Sequence, residues 1–245
     1  MTRGAECRLL EWDSDFFGRR IARVESRKLD AEAIGRVRAF ARAEDVECLY
    51  YLVDAGDSES IRTAEAAGFR CADIRITRER SLDHVSSEMP SGVENFQEDD
   101  LAALQAIARS SHGASRFYYD LEFPRERCDA LYEKWISNAC ASDPESVLVV
   151  RRAGRAVGYL ACETDSSTMG TIGLVAVSES DRGQRIGESL VQGSLAWFLS
   201  HDCEHVRVVS QARNLASARL YERLGFRTTA IEHWYHLWMN PEENA

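Results

Sequence analysis

The sequence lacks the cysteine pairing that a disulfide framework or a zinc ribbon would need. Its seven cysteines (Cys7, Cys48, Cys71, Cys128, Cys140, Cys162 and Cys203) are odd in number, and no two have CxxC spacing. They read as reduced, mostly core-filling thiols of a reducing compartment. Long apolar runs are missing too. No stretch approaches the roughly 20 uncharged apolar residues of a membrane-spanning helix, so no membrane partner is expected. The opening Met1-Thr2-Arg3-Gly4-Ala5-Glu6-Cys7 carries an acid and no apolar h-region, which excludes a secretory signal and leaves a cytoplasmic location as the expectation. Positive charge is in deficit: 30 Lys and Arg face 40 Asp and Glu, for a formal net charge of −10. Binding to nucleic acid needs clustered cations, so none is expected.

What is present suits a globular α/β chain. Of 245 residues, 44% are hydrophobic, enough to bury the core of one large or two small domains. The stretch from Ser81 to Asp100, with Ser86, Ser87, Pro90, Ser91 and Gly92 among several acids, has few large apolar residues and reads as a linker. It predicts two domains, 1–90 and 91–245. An internal repeat links them. Residues 60–70 read Ser-Ile-Arg-Thr-Ala-Glu-Ala-Ala-Gly-Phe-Arg, and residues 217–227 read Ser-Ala-Arg-Leu-Tyr-Glu-Arg-Leu-Gly-Phe-Arg. Each copy follows a β-type run, Cys48–Val53 or Val206–Ser210, and precedes another. Any helix can end in Gly-Phe, but agreement of this extent in one strand–helix–strand setting points to duplication.

The C-terminal part predicts helices over Asp99–Ser110 and Arg125–Asn138. A hairpin of Val147–Val150 and Val157–Glu163 then turns through Arg152–Arg155, and a strand follows over Thr171–Val177. Next come a helix from about Gly187 to Leu199, a strand over Val206–Ser210, a helix over Leu215–Leu224 and a last strand over Ile231–Trp238.

The junction Val177-Ser-Glu-Ser-Asp-Arg-Gly-Gln-Arg-Ile-Gly187 carries the chemistry. A strand ending in a Gly-bearing turn that starts a helix aims unpaired backbone N–H groups, and the positive end of the helix dipole, at one spot. Gly183 and Gly187 allow close approach of a phosphate, and Arg182 and Arg185 add charge. The segment is neither a P-loop, for want of Gly-Lys-Ser/Thr, nor a dinucleotide GxGxxG. By itself it also fits a surface turn into a helix.

In its full context the segment resembles the pyrophosphate loop of the GCN5-related N-acetyltransferases, Arg/Gln-x-x-Gly-x-Gly/Ala, with Arg185 at the fourth position where that family usually has Gly. The resemblance runs in order over residues 99–245. It implies a mixed α/β (α+β) sheet flanked by helices, preceded by a partial module of the same kind, and acetyl-CoA as co-substrate with no metal. By the same resemblance, pantetheine would pair with backbone at Leu174, Val175 and Val177. The pyrophosphate would sit on Arg182, Gly183, Gln184, Arg185, Ile186 and Gly187. Asn214 would contact the cofactor, and Tyr221 would donate to the departing thiolate. Tyr221 also fits a core-type helical stripe between Ala218 and Leu224, but its counterpart in the first repeat is Ala64, in a copy without a phosphate loop.

No general base is evident. Family members often carry a Glu on the cofactor strand, whereas Thr168-Met-Gly-Thr-Ile-Gly173 has no carboxylate. Glu163 and Asp165 are candidates that equally suit ordinary hairpin ends. A sugar amine, less basic than a lysine near 10.4, could arrive neutral or lose its proton to water.

Leu10-Glu-Trp-Asp-Ser-Asp-Phe-Phe-Gly18, Ser115-Arg116-Phe117, Lys134–Ala139, Asn214–Tyr221 and Trp234-Tyr-His-Leu-Trp238 further resemble the TDP-fucosamine (dTDP-4-amino-4,6-dideoxygalactose) acetyltransferases. That resemblance implies a small-molecule amine on a nucleotide sugar as acceptor. Arg116, Phe117, Tyr118 and Tyr119 would form its pocket, or else a buried aromatic cluster. The rivals are acetylation of a small amine or a protein N-terminus and, from another class, a non-catalytic acyl-CoA-binding module. A homodimer is compatible with the sequence, which does not fix the oligomeric state. His201-Asp-Cys-Glu-His205 straddles a helix end and a strand start, so its histidines need not share a face, and no metal is expected.

Overall fold

The computed structural model describes residues 6–26, 28–164 and 168–239. Its elements in chain order are β1 (Cys7–Leu9), α1 (Glu11–Phe17), β2 (Ile21–Val24), α2 (Ala31–Ala43), β3 (Cys48–Asp54), α3 (Ser58–Ala66), β4 (Arg70–Ser81), β5 (Val93–Asn95), α4 (Leu101–Ser111), α5 (Arg125–Ser142), β6 (Val147–Arg152), β7 (Arg155–Thr164), β8 (Met169–Val177), α6 (Ile186–Ser200), β9 (His205–Gln211), α7 (Leu215–Arg223) and β10 (Arg227–Trp238). No helix among the described residues is long and apolar enough to cross a membrane.

The chain forms two compact units. One comprises Met1–Arg75, Arg116–Phe123 and Ala230–Ala245; the other comprises Ile76–Ser115 and Pro124–Thr229. This division differs from the boundary expected near Pro90. The second unit begins inside β4, and the end of the chain returns to the first unit. The stretch read as a linker is also not one. Leu82 and Val93 are buried in the second unit's core, and β5 pairs antiparallel with β6 through Val93↔Val150. A strand of three residues between polar neighbours is too short to show an alternating pattern. The turn after it is fixed by Arg151, 12% exposed, which pairs with Asp100 and Glu94.

In the first unit, β1–β2 is antiparallel, β2–β3 is parallel through Ile21↔Cys48, Ala22↔Leu49 and Arg23↔Tyr50, and β3–β10 is antiparallel. Val37 and Ala41 of α2 and Ala64 of α3 pack with Leu49, Tyr51, Val53, Phe69 and Tyr235 to form its core.

The sheet of the second unit is mixed as well, with β5–β6, β6–β7 and β7–β8 antiparallel and β8–β9 parallel. Leu190, Val191, Leu195 and Phe198 of α6 join Leu148, Leu160, Ile172, Val206 and Val208 in one core. Each such side chain contributes about 2–3 kcal/mol by leaving water. Gly170 has no side chain because the Phe198 ring fills the space its Cβ would take. The β6–β7 hairpin turns at Ala153 and Gly154, with φ of 48° and 76°, a primed turn whose twist matches the strands.

The two repeat copies adopt one local structure. Each helix is capped by a side chain at matching φ and ψ: Asp57 (−83°, 73°) accepts from the Ser60 N–H, and Asn214 (−84°, 72°) from the Ser217 N–H. Each ends at a left-handed glycine, Gly68 at φ 91° and Gly225 at φ 81°, followed by a buried phenylalanine, Phe69 or Phe226.

Candidate active site

The site of the second unit arises from a failure of strand pairing. β8 and β9 pair only from Met169↔His205 to Ile172↔Val208. Beyond that point β8 continues to Val177 and β9 to Gln211 with no ladder between them. Backbone groups on the facing edges therefore lack the strand partners they would have in a closed sheet. The gap opens into a groove of about 470 Å³, lined by Gly173, Leu174, Val175 and Val177 of β8, Ser210 and Gln211 of β9, Asn214 and Tyr221 at and on α7, and Arg182 and Gly187. Volume and lining suit a ligand of cofactor size.

At one end of the groove the chain turns from β8 into α6. None of the backbone N–H groups of residues 183–188 has a partner among the described residues. Gly183 adopts φ 78°, as only glycine does without strain. Arg185, the residue before the helix, also adopts a left-handed conformation, φ 61° and ψ 11°, and supplies no side-chain cap. A non-glycine residue there costs about 1–2 kcal/mol. The loop therefore keeps its bare amides at the expense of local strain, as expected of an anion cradle. The Arg182 Nε donates to the Val177 carbonyl at 3.3 Å, which ties the guanidinium to the strand end. Arg152 reaches the Gln184 side chain. Gly187 sits where a Cβ would meet Leu220 at 3.5 Å, so that position tolerates a small residue as well.

Tyr221 also lines the groove, 2% exposed and packed edge-on to Phe226 at 5.5 Å. Its ring belongs to the core, and its hydroxyl, which makes no hydrogen bond among the described residues, reaches the groove. Burial pushes its pKa above the ordinary 10, opposed by the charge of Arg78. The phenol stays protonated as a hydrogen-bond donor. Asn214 has a structural role besides its place in the groove wall, since its Oδ1 is the α7 cap at 3.1 Å from the Ser217 N–H.

The opposite wall contains residues that sequence reasoning missed: Ser111, His112, Ser115, Tyr132 and Trp135. His112 Nε2 lies 3.0 Å from the Tyr159 hydroxyl, and its ring stacks on Tyr132 at 4.2 Å. Burial lowers its pKa to about 4, so the imidazole is neutral at physiological pH. The hydroxyls of Ser111 and Ser115 are buried without a hydrogen-bond partner among the described residues. Only a helix-end Ser-Ser-His signal, Ser110-Ser111-His112, could have hinted at this wall.

A larger hollow of about 620 Å³ in the same unit is lined by Arg80, His84, Glu88, Gln192 and Arg223. It has no unpaired strand edge, and Arg80 there is already engaged by the Leu224 carbonyl. The smaller groove is the one equipped for chemistry.

Arg116, Phe117, Tyr118 and Tyr119 belong to the first unit and are not among the lining residues of the groove. Arg116–Tyr118 form a 3-10 turn. The Arg116 guanidinium lies over Phe117 at 4.3 Å, Trp234 at 4.4 Å and Tyr50 at 4.9 Å. It makes no hydrogen bond or ion pair among the described residues, and its Nε is buried. Phe117 is buried, and Tyr119 is 58% exposed. Nearby His236, held neutral near pKa 4 by burial, reaches Asp120 at 2.6 Å.

Among the described residues no group of three His, Cys, Asp or Glu side chains is placed to hold a metal. His201 stacks on Trp197 at 3.7 Å.

Comparison with known proteins decides the family. Residues 102–226 match the family model described as "Acetyltransferase (GNAT) family". The chain belongs to this family. The matched span contains the diverging strands, the amide-rich loop and Tyr221. Among curated relatives, a spore coat polysaccharide biosynthesis protein, SpsD, of Bacillus subtilis is 26% identical over 144 residues, 58% of this chain and 49% of the relative. A mycothiol acetyltransferase of Thermobispora bispora is 27% identical over 191 residues, 69% of this chain and 61% of the relative. The chain thus spans about half to three-fifths of the length of these relatives. A GCN5-related N-acetyltransferase from Sphaerobacter thermophilus has a similar fold, with TM-score 0.68 at 18% identity over 96% of this chain and 76% of that one. So does a tandem GNAT protein of clavulanic acid biosynthesis, with TM-score 0.60 at 16% identity over 90% and 76%. The GNAT fold of this protein follows, and acetyl-CoA is the co-substrate its family uses.

Proposed function

We propose that this GNAT protein transfers an acetyl group from acetyl-CoA directly to the amine of a nucleotide-linked amino sugar. The observation that carries the transfer reaction is the groove itself: unpaired strand edges, Arg182 and Gly187 of the loop whose 183–188 amides have no partner among the described residues, and Tyr221, all in one lining. The residues fit the co-substrate in kind. Bare amides and Arg182 suit a pyrophosphate, and the edge of β8 at Leu174, Val175 and Val177 suits the amides of pantetheine.

The chemistry proceeds in one ternary complex. The amine attacks the thioester carbon, edge N–H groups of β8 polarise the carbonyl oxygen, and the leaving sulfur accepts a hydrogen bond from Tyr221. A thiol near 8.5 is a stronger acid than this buried phenol. Tyr221 therefore stabilises the thiolate by hydrogen bonding, and the thiolate takes its proton from water.

The acceptor assignment rests on two observations. Arg116 is a cation held on three aromatic faces with no hydrogen bond or ion pair among the described residues, which suits a diphosphate, and Phe117, Tyr118 and Tyr119 follow it in sequence. One curated relative is named for polysaccharide biosynthesis. None of the seven cysteines is in a disulfide, and six are buried, which suits a reducing, cytoplasmic setting.

The test is thiol release from acetyl-CoA with dTDP- and UDP-linked amino sugars beside glucosamine, spermidine and an N-terminal peptide. Turnover with the nucleotide sugars that falls in Arg116→Ala supports the reading. Turnover with spermidine or peptide alone overturns the acceptor class and keeps the reaction. Binding of acetyl-CoA without turnover on any amine indicates a non-catalytic module.

A further inference from the structure

We infer that Glu163 is the general base of this site, delivered to the cofactor strand from the strand beside it. The inference rests on the acetyl-transfer reading above. The pairing of β7 with β8 matches Ala161 with Leu174 and then Cys162 with Ile172, which leaves Gly173 unmatched in a bulge. Gly173 lines the groove, and it is the first residue beyond the last β8–β9 pair, Ile172↔Val208. A Cβ at 173 would collide with Glu163 Oε1 and lie 2.9 Å from its Cδ. The Glu163 carboxylate, which is not itself in the groove lining, therefore occupies the volume into which a side chain at position 173 would project, beside a residue that lines the groove. Residues 168–173 carry no carboxylate of their own, and this one takes that place. Bulges re-aim side chains beside active sites in this way.

No hydrogen bond or ion pair engages the Glu163 carboxylate among the described residues, and it caps no helix. Asp165, the other acid of this hairpin end, lies outside the described residues. One side of Glu163 is open to solvent and the other rests on the sheet, and this partial burial holds its pKa above the usual carboxylate value. Other titratable groups on the same face leave it alone. Tyr159 is kept protonated and His112 neutral by burial. β8 presents only Thr171 and Gly173 opposite it. Of the charged residues on the helices, Arg109 pairs with Glu133 and Arg125 with Asp129. Cys162 points into the opposite core with its thiol held up by burial.

In the reaction, the nitrogen–carbon bond forms and the carbon–sulfur bond breaks. The N–H proton passes to the Glu163 carboxylate, directly or through one water. The thiolate leaves hydrogen-bonded to Tyr221 and is protonated by water, and Glu163 returns its proton to water.

The experiment measures thiol release from acetyl-CoA, with whichever amine of the panel above the wild type uses best, across pH 5–9. It compares wild type, Glu163→Gln, Glu163→Asp, Gly173→Ala and His112→Asn, with acetyl-CoA binding followed by calorimetry. Glu163→Gln is expected to lower kcat about 100-fold with acetyl-CoA affinity unchanged and the acid limb of the pH profile lost. Glu163→Asp restores part of the rate and the limb. Gly173→Ala, which displaces the carboxylate while keeping it, lowers kcat as well. Wild-type turnover that persists in Glu163→Gln, or an acid limb that disappears in His112→Asn instead, overturns this assignment alone. A wild type that releases no thiol with any amine overturns the acetyl-transfer reading and this assignment with it.

Discussion

The two halves of the internal repeat differ in what surrounds the same motif. In both units a strand–helix–strand follows a parallel pair, with β2-α2-β3-α3-β4 in one and β8-α6-β9-α7-β10 in the other. In the first, β2 ends at Val24, one residue beyond its last pair, Arg23↔Tyr50, and only β3 runs on, to Asp54. The N-terminus of α2 is closed by Asp30, whose side chain accepts from the Ala33 N–H at 2.7 Å. The α3 position facing the core is Ala64. In the second, β8 outruns its partner, α6 begins uncapped at a strained Arg185, and the matching α7 position is Tyr221. Three local differences mark the second unit: a first strand of the parallel pair that continues well past its pairing, a loop that leaves its amides bare and a hydroxyl at the buried helix position. The duplicated frame alone supplies none of these.

The comparison can be broken most sharply at Tyr221. Tyr221→Phe keeps the ring in the core and is expected to lower kcat about 100-fold in the thiol-release assay, with acetyl-CoA affinity retained. The two caps provide a matched test of smaller size. Asp57→Ala and Asn214→Ala should each cost about 1 kcal/mol in denaturant unfolding. Only Asn214→Ala should also weaken acetyl-CoA binding.

Arg185→Gly should relieve the left-handed strain and stabilise the fold by about 1 kcal/mol, seen as a rise in Tm of a few degrees. The smallest effect concerns pH. His112 in one unit and His236 in the other each fall from the ordinary 6.5 to about 4 through burial. Below 6.5 the unfolded chain binds protons that the folded chain does not. Stability is therefore full above about pH 6.5 and falls as pH drops toward 4. Replacing either histidine by Asn should flatten that fall when unfolding is followed across pH 4–7.

Local signals in the sequence carried much of this architecture. The strand and helix periodicities from Val147 to Trp238 locate the elements to within a few residues, because each buries one face of a regular structure. The loop from Arg182 to Gly187 is legible because it is a contiguous Gly-bearing turn between a strand and a helix. Features made by distant pairing are not. The strand Val93–Asn95 is stabilised by β6 rather than by its own pattern, so its surroundings read as a linker. His112, Ser111 and Ser115 meet the groove only because α4 ends there. Glu163 lies beside Gly173 through a bulge that no sequence pattern encodes. The restraint of Arg116 by Tyr50 and Trp234 likewise joins residues far apart in the chain.

The central claim is that one unit binds the co-substrate and its duplicate does not, and calorimetric titration with acetyl-CoA tests it most directly. The account predicts one acetyl-CoA per chain for the wild type. Gly183→Val, which forces a β-branched residue into φ 78° and disrupts the amide cradle, should weaken binding at least about tenfold. Two acetyl-CoA molecules per chain, no binding at all, or unchanged affinity in Gly183→Val would contradict it.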